Sequence, residues 1–209
     1  MKVENGNTFT YSIHNTSKKP NTLSGDCYFA RQHENYMLLS IADGLGSGPA
    51  ARFAAEKTVK EIEANFDVDS PLQLLELSNR TLQGSRGSVV GIACIDWRSC
   101  SCKYAGIGNI TCISITPQRK KQYYLSVPGY LNGRSFHAIE RSFPFHPGDT
   151  IVLYSDGIQL PDNWEYIVTE PGSTQQVLQR IIHQMETIND DATLIIGKWD
   201  QTSPSSTSF

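Results

Sequence analysis

The segment YMLLSIADGLGSG, residues 36–48, decides how this sequence is interpreted. Residues 36–42 are apolar and few in number, which predicts a short buried strand. Asp43 follows directly, and glycine-rich sequence then leads to Pro49, a residue favoured at the first position of a helix. A carboxylate at the end of a buried strand can reach a metal ion, while the carbonyl of the following Gly44 approaches the same ion. Asp-Gly is also common in plain turns, so this pair alone leaves both interpretations open.

The same arrangement recurs elsewhere in the chain. Asp156 closely follows the apolar strand TIVLY (150–154) and precedes Gly157. Asp26 stands before a strand-like segment, and Asp190 with Asp191 stands immediately before the apolar segment 192–196. A turn would explain each aspartate by itself. Their repetition at strand borders favours a shared acidic site.

Converging carboxylates repel each other, and this limits what the site can be. Two unit charges 4 Å apart interact by about 4 kcal/mol at an effective dielectric constant near 20. A cluster therefore needs cations, raised pKa values or greater separation. Oxygen ligands select hard cations such as Mg²⁺ and Mn²⁺, whereas zinc prefers nitrogen and sulfur. The pattern predicts a magnesium or manganese site.

The remaining sequence predicts a mixed α+β protein. Helical periodicity or helix-start signals occur at 49–66, 70–84 and 174–188, and strand patterns at 8–14, three pieces of 88–115, 122–126, 150–154 and 192–197. We expect strand 8–14 to pair with strand 36–42, and the three pieces of 88–115 to form antiparallel hairpins. Because strands come in runs between helices, antiparallel sheets covered by helices are favoured over a doubly wound parallel sheet.

Composition excludes several classes of protein. The 209 residues suit one domain, with a net charge of −3 and a pI near 5.9 that disfavour a nucleic-acid surface. No apolar run approaches the roughly 18 residues of a membrane span, and the polar start lacks the pattern of a secretory signal, so we expect a cytoplasmic protein. The cysteines lack zinc-site spacing and are expected to be reduced. We expect a monomer, with one domain over 1–200 and a disordered tail over 201–209.

Six motifs occur in a defined order along the chain. They are Ser24-Gly-Asp26, Ala42-Asp-Gly-Leu-Gly-Ser-Gly48, Arg86-Gly-Ser-Val-Val90, Gly106-Ile-Gly-Asn109, Ser155-Asp-Gly157 and Asp190-Asp-Ala-Thr193. With these motifs the chain resembles the metal-dependent serine/threonine phosphatases of the PPM or 2C type, in the compact bacterial branch that includes the stage II sporulation phosphatase. The short single-domain form and residues 128–133 look most like the phosphatase that resets the bacterial stressosome. The resemblance implies an αββα sandwich, with two antiparallel sheets between helical layers and the active site at one edge.

The resemblance also implies roles for individual residues. Asp43 would bridge two Mn²⁺ or Mg²⁺ ions, the Gly44 carbonyl would face the second, Asp26 would bind the second, and Asp156 and Asp190 would hold the first. Hydrolysis would be direct, by water held between the ions, with no phosphoenzyme. The implied substrate is a phosphoserine or phosphothreonine protein, namely a STAS-domain stressosome subunit controlling the general stress sigma factor.

The sequence departs from the larger relatives in one respect that matters. They carry a phosphate-binding arginine near the first motif, where this chain reads Asn21-Thr-Leu-Ser-Gly-Asp26. Arg86 is a speculative substitute, and His137 and His146 are candidate proton donors, although an isolated histidine more often has a structural or surface role. The alternatives are a catalytically silent relative that binds the same partner, a related phosphatase acting on an anti-sigma factor antagonist, and a two-metal nuclease, which the acidic pI disfavours.

Overall fold

The computed structural model describes residues 8–18, 22–185 and 190–200. Within these ranges the chain forms ten strands and four helices. The strands are β1 (Thr8–Thr16), β2 (Asp26–Gln32), β3 (Tyr36–Gly44), β4 (Ser88–Asp96), β5 (Ser101–Ile107), β6 (Thr111–Ile115), β7 (Lys121–Leu125), β8 (Arg141–Pro144), β9 (Thr150–Tyr154) and β10 (Ala192–Asp200). The helices are α1 (Pro49–Ala64), α2 (Pro71–Thr81), α3 (Trp164–Thr169) and α4 (Thr174–Gln184).

The strands form two five-stranded sheets. One sheet has the order β1-β10-β9-β6-β7 and the other β2-β3-β4-β5-β8, and every pairing between these strands is antiparallel. We call them the β10 sheet and the β3 sheet after their members. Helices α1 and α2 pack on the β3 sheet, while α3 and α4 cover the β10 sheet. The predicted αββα sandwich is therefore confirmed.

Alternation along the strands builds three apolar layers. In β3, Met37, Leu39 and Ile41 point between the two sheets, where they meet Leu153 and Ile195 of the β10 sheet. The intervening residues of β3 face the other way and pack against the helices. A strand buried on both faces reads as a continuous apolar run, which is why YMLLSIA lacks the alternation of a half-buried strand.

Two predicted strand pairings are wrong. β1 pairs with β10 in one sheet, whereas β3 pairs with β2 and β4 in the other, so strands 8–14 and 36–42 are not neighbours. β5 and β6 do not form a hairpin, because the Gly106–Asn109 segment carries the chain from the β3 sheet to the β10 sheet. Gly108 has φ +97°, and a Cβ there would lie 2.2 Å from Val89 Cγ1, so this crossing requires glycine.

The helix starts agree with the sequence signals. Pro49 is the first residue of α1, and the Ser70 side chain caps α2 by accepting a hydrogen bond from Gln73 N. The third predicted helix is α4, which ends at Gln184, and residues 186–188 of that prediction lie outside the described residues. The predicted tail, 201–209, lies outside them as well. α3 and β8 were not predicted, because each is too short to show a period.

None of the helices in the described residues combines the length and apolar character needed to cross a lipid bilayer. All five cysteines, Cys27, Cys94, Cys100, Cys102 and Cys112, carry free thiols.

Candidate metal centre

Two aspartates stand directly opposite each other at one edge of the sandwich. Asp26 is the first residue of β2, and it pairs in register with Asp43 near the end of β3. Asp43 continues the alternation of Met37, Leu39 and Ile41, and it therefore lies on the face of the β3 sheet that meets the β10 sheet. The antiparallel pairing of β2 with β3 brings the two carboxylates together.

Asp26 is almost completely buried, with 1% of its surface exposed. Its Oδ2 accepts hydrogen bonds from Ser155 Oγ and Thr193 Oγ1, each at 2.7 Å. Its Oδ1 is buried and has no hydrogen-bond partner among the described residues. Burial raises the pKa of this carboxyl above its usual value, because the charged form loses hydration. A bare, buried carboxylate oxygen is the atom that a cation would stabilise.

Asp43 is held in a site that disfavours its charge. Burial and then the neighbouring charges of Asp26 and Asp156 raise the pKa of Asp43 to about 8. The charge of Asp156, just beyond β9, thus acts on Asp43, and the role of Asp156 as a metal ligand stays a prediction. Its Oδ2 accepts a 2.6 Å hydrogen bond from Asn109 Nδ2. A divalent cation would reverse the effect on Asp43 by favouring the ionised form.

Glycines allow the elements of this edge to approach closely. A Cβ on Gly44 would lie 1.8 Å from the carbonyl oxygen of Ala51 in α1, so only glycine lets β3 and α1 meet here. A Cβ on Gly157 would lie 2.2 Å from the carbonyl oxygen of Asp191. The glycines after Asp43 and Asp156 thus serve backbone packing, which the turn interpretation anticipates. The direction of the Gly44 carbonyl towards a metal stays a prediction.

The two neighbouring aspartates before β10 lie in different surroundings. Asp191 Oδ1 accepts from Lys18 N at 2.8 Å and Oδ2 from Gly25 N at 2.9 Å. Its charge contributes to the raised pKa values of both Asp26 and Asp43. The Asp190 side chain is 61% exposed, and its Oδ1 contacts Lys18 Nζ at 3.4 Å. Asp191 is thus held by backbone N–H groups next to Asp26, whereas Asp190 contacts the side-chain ammonium of Lys18.

Two residues at this edge make contacts that were not predicted. Asn109 holds Asp156, and Arg52 Nη1 donates to the carbonyl oxygens of Ser24 at 2.9 Å and Asp26 at 3.0 Å. Arg52 thereby ties α1 to the start of β2. Asn109 belongs to one of the six motifs, and its place there is the only sequence signal for it. Arg52 lies in an ordinary amphipathic helix, and no local pattern could have identified it.

The candidate phosphate-binding arginine lies beside the loop that follows Asp43. Arg86 is exposed, and its Nη1 lies next to Gly46, because a Cβ on Gly46 would be 2.8 Å away. A 3.0 Å hydrogen bond from Leu45 N to Gly87 O docks the segment of Arg86 on this loop. The role of Arg86 in binding phosphate stays a prediction.

The two candidate proton donors lie in other parts of the fold. His146 precedes β9, whereas Asp156 follows it, so they lie at opposite ends of that strand. This geometry excludes His146 as a proton donor at the acidic edge. His137 is exposed in the connection between β7 and β8, and its role stays a prediction.

The residues at this edge fit a hard divalent cation. Among the described residues, the donors identified at this edge are carboxylate oxygens, including the bare Oδ1 of Asp26, and such oxygens suit a hard cation better than zinc. Within the described ranges, no group of three or more His, Cys, Asp or Glu side chains is arranged to enclose an ion. Mg²⁺ characteristically uses one or two carboxylates and keeps several waters, so a paired-aspartate site suits it.

Comparison with known proteins decides the family. The family model of stage II sporulation protein E, SpoIIE, matches residues 33–200. The chain belongs to the SpoIIE family. Membership of the SpoIIE family makes it a phosphatase with a PP2C-type domain, as the six ordered motifs predicted.

Similar proteins and structures agree with this membership of the SpoIIE family. The phosphoserine phosphatase RsbX of Bacillus subtilis (strain 168) is 22% identical over 198 residues, covering 95% of this chain and 98% of RsbX. The structure of RsbX in complex with magnesium superposes with a TM-score of 0.84 and 22% sequence identity. The match covers 92% of this chain and 96% of the RsbX chain. The serine/threonine phosphatase PstP of Mycobacterium tuberculosis matches with a TM-score of 0.74 and 14% sequence identity. The match covers 92% of this chain and 99% of the PstP chain.

Proposed function

We propose that this protein is a metal-dependent phosphatase that hydrolyses phosphoserine or phosphothreonine on a STAS-domain stressosome subunit, and thereby controls a general stress sigma factor. The metal would be Mn²⁺ or Mg²⁺, with two ions in each active site. The proposed ligands are Asp26, Asp43, the Gly44 carbonyl, Asp156 and Asp190.

The observation that carries this proposal is the pair of aspartates at the edge of the sandwich. Asp26 keeps one oxygen bare in a buried position, directly across from Asp43, whose pKa is raised to about 8. Two buried carboxylates destabilise the folded protein when no cation is bound, and a bound cation would stabilise them. Family membership supplies the reaction class that this metal chemistry would serve.

Each part of the edge has a role in this proposal. Bound divalent ions would supply the acidity that activates water and the charge that stabilises the phosphoryl oxygens. Asp26 and Asp43 would anchor the ions from the β3 sheet, and Asp156 would do so from the end of β9 in the β10 sheet. Asn109 fixes the orientation of Asp156 through its 2.6 Å hydrogen bond. Asp190 would exchange its contact with Lys18 for a metal ion.

The substrate part of the proposal draws on the relatives. RsbX is described as a phosphoserine phosphatase, and a structure concerning the bacterial stressosome matches 91% of this chain and 100% of its own, with a TM-score of 0.82 and 23% identity. We therefore propose a phosphorylated stressosome subunit as the partner. We also propose a monomer in the cytoplasm, where reduced cysteines are the rule.

The test begins with a purified STAS-domain protein that carries phosphoserine or phosphothreonine. Release of phosphate should require Mn²⁺ or Mg²⁺, stop on addition of EDTA, and disappear in Asp43→Asn. Asp67→Asn is the matched control, because Asp67 is exposed and lies beyond the end of α1 that is remote from the site. Binding of the phosphoprotein without any release of phosphate would favour the silent relative. Turnover confined to a phosphorylated anti-sigma factor antagonist would instead redirect the substrate assignment.

A further inference from the structure

Two hydroxyl groups hold one oxygen of the Asp26 side chain, and the Asp43 carboxyl lies close enough to interact with the same carboxylate. Ser155 Oγ and Thr193 Oγ1 both donate to Oδ2 at 2.7 Å, whereas Oδ1 has no partner in the described part of the chain. All three residues are buried, with exposed fractions of 1% for Asp26, 1% for Ser155 and 0% for Thr193. Water therefore does not compete for these bonds.

The direction of each hydrogen bond follows from its neighbours. Thr193 N donates to Ser155 Oγ at 2.9 Å, and Asn15 Nδ2 donates to Thr193 Oγ1 at 2.8 Å. Each hydroxyl thus receives one hydrogen bond, and its single proton is left for Asp26. The network presents two donors to one carboxylate oxygen and thereby fixes the orientation of the Asp26 side chain.

The two hydroxyls and the carboxylate come from different sheets. Asp26 begins β2 of the β3 sheet, whereas Ser155 follows β9 and Thr193 lies in β10. Rotating the carboxylate would exchange Oδ1 for Oδ2 but leave one oxygen facing the same two donors. These two hydrogen bonds therefore fix the plane of the Asp26 carboxylate relative to both sheets. They also fix the position of its second oxygen, Oδ1.

We propose that Ser155 and Thr193 are positioning residues that hold Asp26 so that Oδ1 faces the metal. This inference rests on the proposed metal site, and it adds a role that the six motifs did not assign. Partners that orient a metal ligand typically change metal affinity 10- to 100-fold when they are lost. The two hydroxyls act through Asp26 and need no contact with the substrate.

The test measures Mn²⁺ binding to the full chain by titration calorimetry, without substrate. Thr193→Val removes the hydroxyl and should weaken binding about 10- to 100-fold. Thr193→Ser keeps the hydroxyl and should bind within about threefold of wild type. Thr58→Val is the matched control: Thr58 is equally buried, but its hydroxyl donates to the Ala54 carbonyl inside α1, so Mn²⁺ affinity should not change. Raising the Mn²⁺ concentration should restore the kcat of Thr193→Val, because the hydrogen bond from Thr193 to Asp26 affects only how tightly Mn²⁺ binds.

Several outcomes distinguish failure of this inference from failure of the proposed function. A folded Thr193→Val protein with wild-type Mn²⁺ affinity would overturn the positioning role. If Thr193→Val does not fold, Ser155→Ala decides the question by the same titration, with weaker binding expected and wild-type affinity overturning the role. Wild-type protein that binds Mn²⁺ but releases no phosphate from phosphoprotein would refute the proposed function, and the titrations would still decide the role of the two hydroxyls. Wild-type protein that fails to bind Mn²⁺ would refute both.

Discussion

Asp26 and Asp43 face each other as a registered pair across β2 and β3, and the charge of Asp26 helps to raise the pKa of Asp43 to about 8. Like charges directly opposite each other destabilise a sheet. The pair is therefore costly for the fold unless a cation lies between its members. Metal binding, stability and the pH dependence of stability should all respond to this balance.

If Asp43 bridges two ions as proposed, Asp43→Asn should reduce Mn²⁺-dependent hydrolysis by more than about 100-fold, because losing a direct metal ligand lowers metal affinity more than losing a residue that only orients a ligand. The metal-free variant should melt no lower than wild type, since the substitution relieves repulsion in an empty acidic site. Melting curves in EDTA and turnover in Mn²⁺ measure the two effects. Near-normal activity in Asp43→Asn would contradict the dinuclear assignment.

The metal-free protein should lose stability as the pH rises from about 4 to about 8. The pKa of Asp43 is raised from 3.8 to about 8 in the fold, so the folded state binds a proton that the unfolded chain has released. The stabilising contribution of that proton is complete below pH 4 and is lost as the pH passes the folded pKa. Urea unfolding in EDTA at several pH values should show this slope in wild type and a weaker one in Asp43→Asn. Equal slopes would show that Asp43 does not titrate in this range.

Asp190→Asn and Asp191→Asn should differ in how much metal affinity and activity they lose. Both oxygens of Asp191 accept backbone N–H groups, from Lys18 and Gly25, and asparagine can keep one of these bonds. Asp191→Asn should therefore retain a substantial part of the activity. Asp190→Asn should lose at least about tenfold in Mn²⁺ affinity, if Asp190 releases Lys18 to bind the metal. Metal-induced melting shifts compare the two variants, and the reverse order of damage would make Asp191 the ligand.

Arg86→Ala should raise the KM for the phosphoprotein about 10- to 150-fold, because a hydrogen bond to a charged group contributes about 1.5–3 kcal/mol. Arg86 is exposed beside Gly46, on the loop that follows Asp43. Arg98→Ala is the control, since Arg98 pairs with Asp96 at the opposite end of β4. Steady-state kinetics with both variants separate KM from kcat. An unchanged KM in Arg86→Ala would remove Arg86 from substrate binding.

Much of the fold followed from local sequence signals. The apolar run before Asp43, the proline that starts α1 and the serine that caps α2 each predict an element, because each depends on backbone geometry over only a few residues. The ordered motifs then predicted the αββα sandwich and the family. Strand partners were harder to predict: β1 pairs with β10, almost the whole chain away, and nothing local specifies such a pairing.

The sequence by itself determined that aspartates lie at the borders of strands, since residue type and strand period can be read along the chain. Only the tertiary structure decided which oxygens are free. The bare Oδ1 of Asp26 depends on hydroxyls of Ser155 and Thr193, which lie 129 and 167 residues away in the other sheet. Likewise, Asp190 and Asp191 are adjacent in sequence, yet Asp190 contacts the side-chain ammonium of Lys18, whereas Asp191 accepts hydrogen bonds from the backbone N–H groups of Lys18 and Gly25. Such differences arise from packing between distant segments, because orientation and burial of a side chain are set by what surrounds it in space.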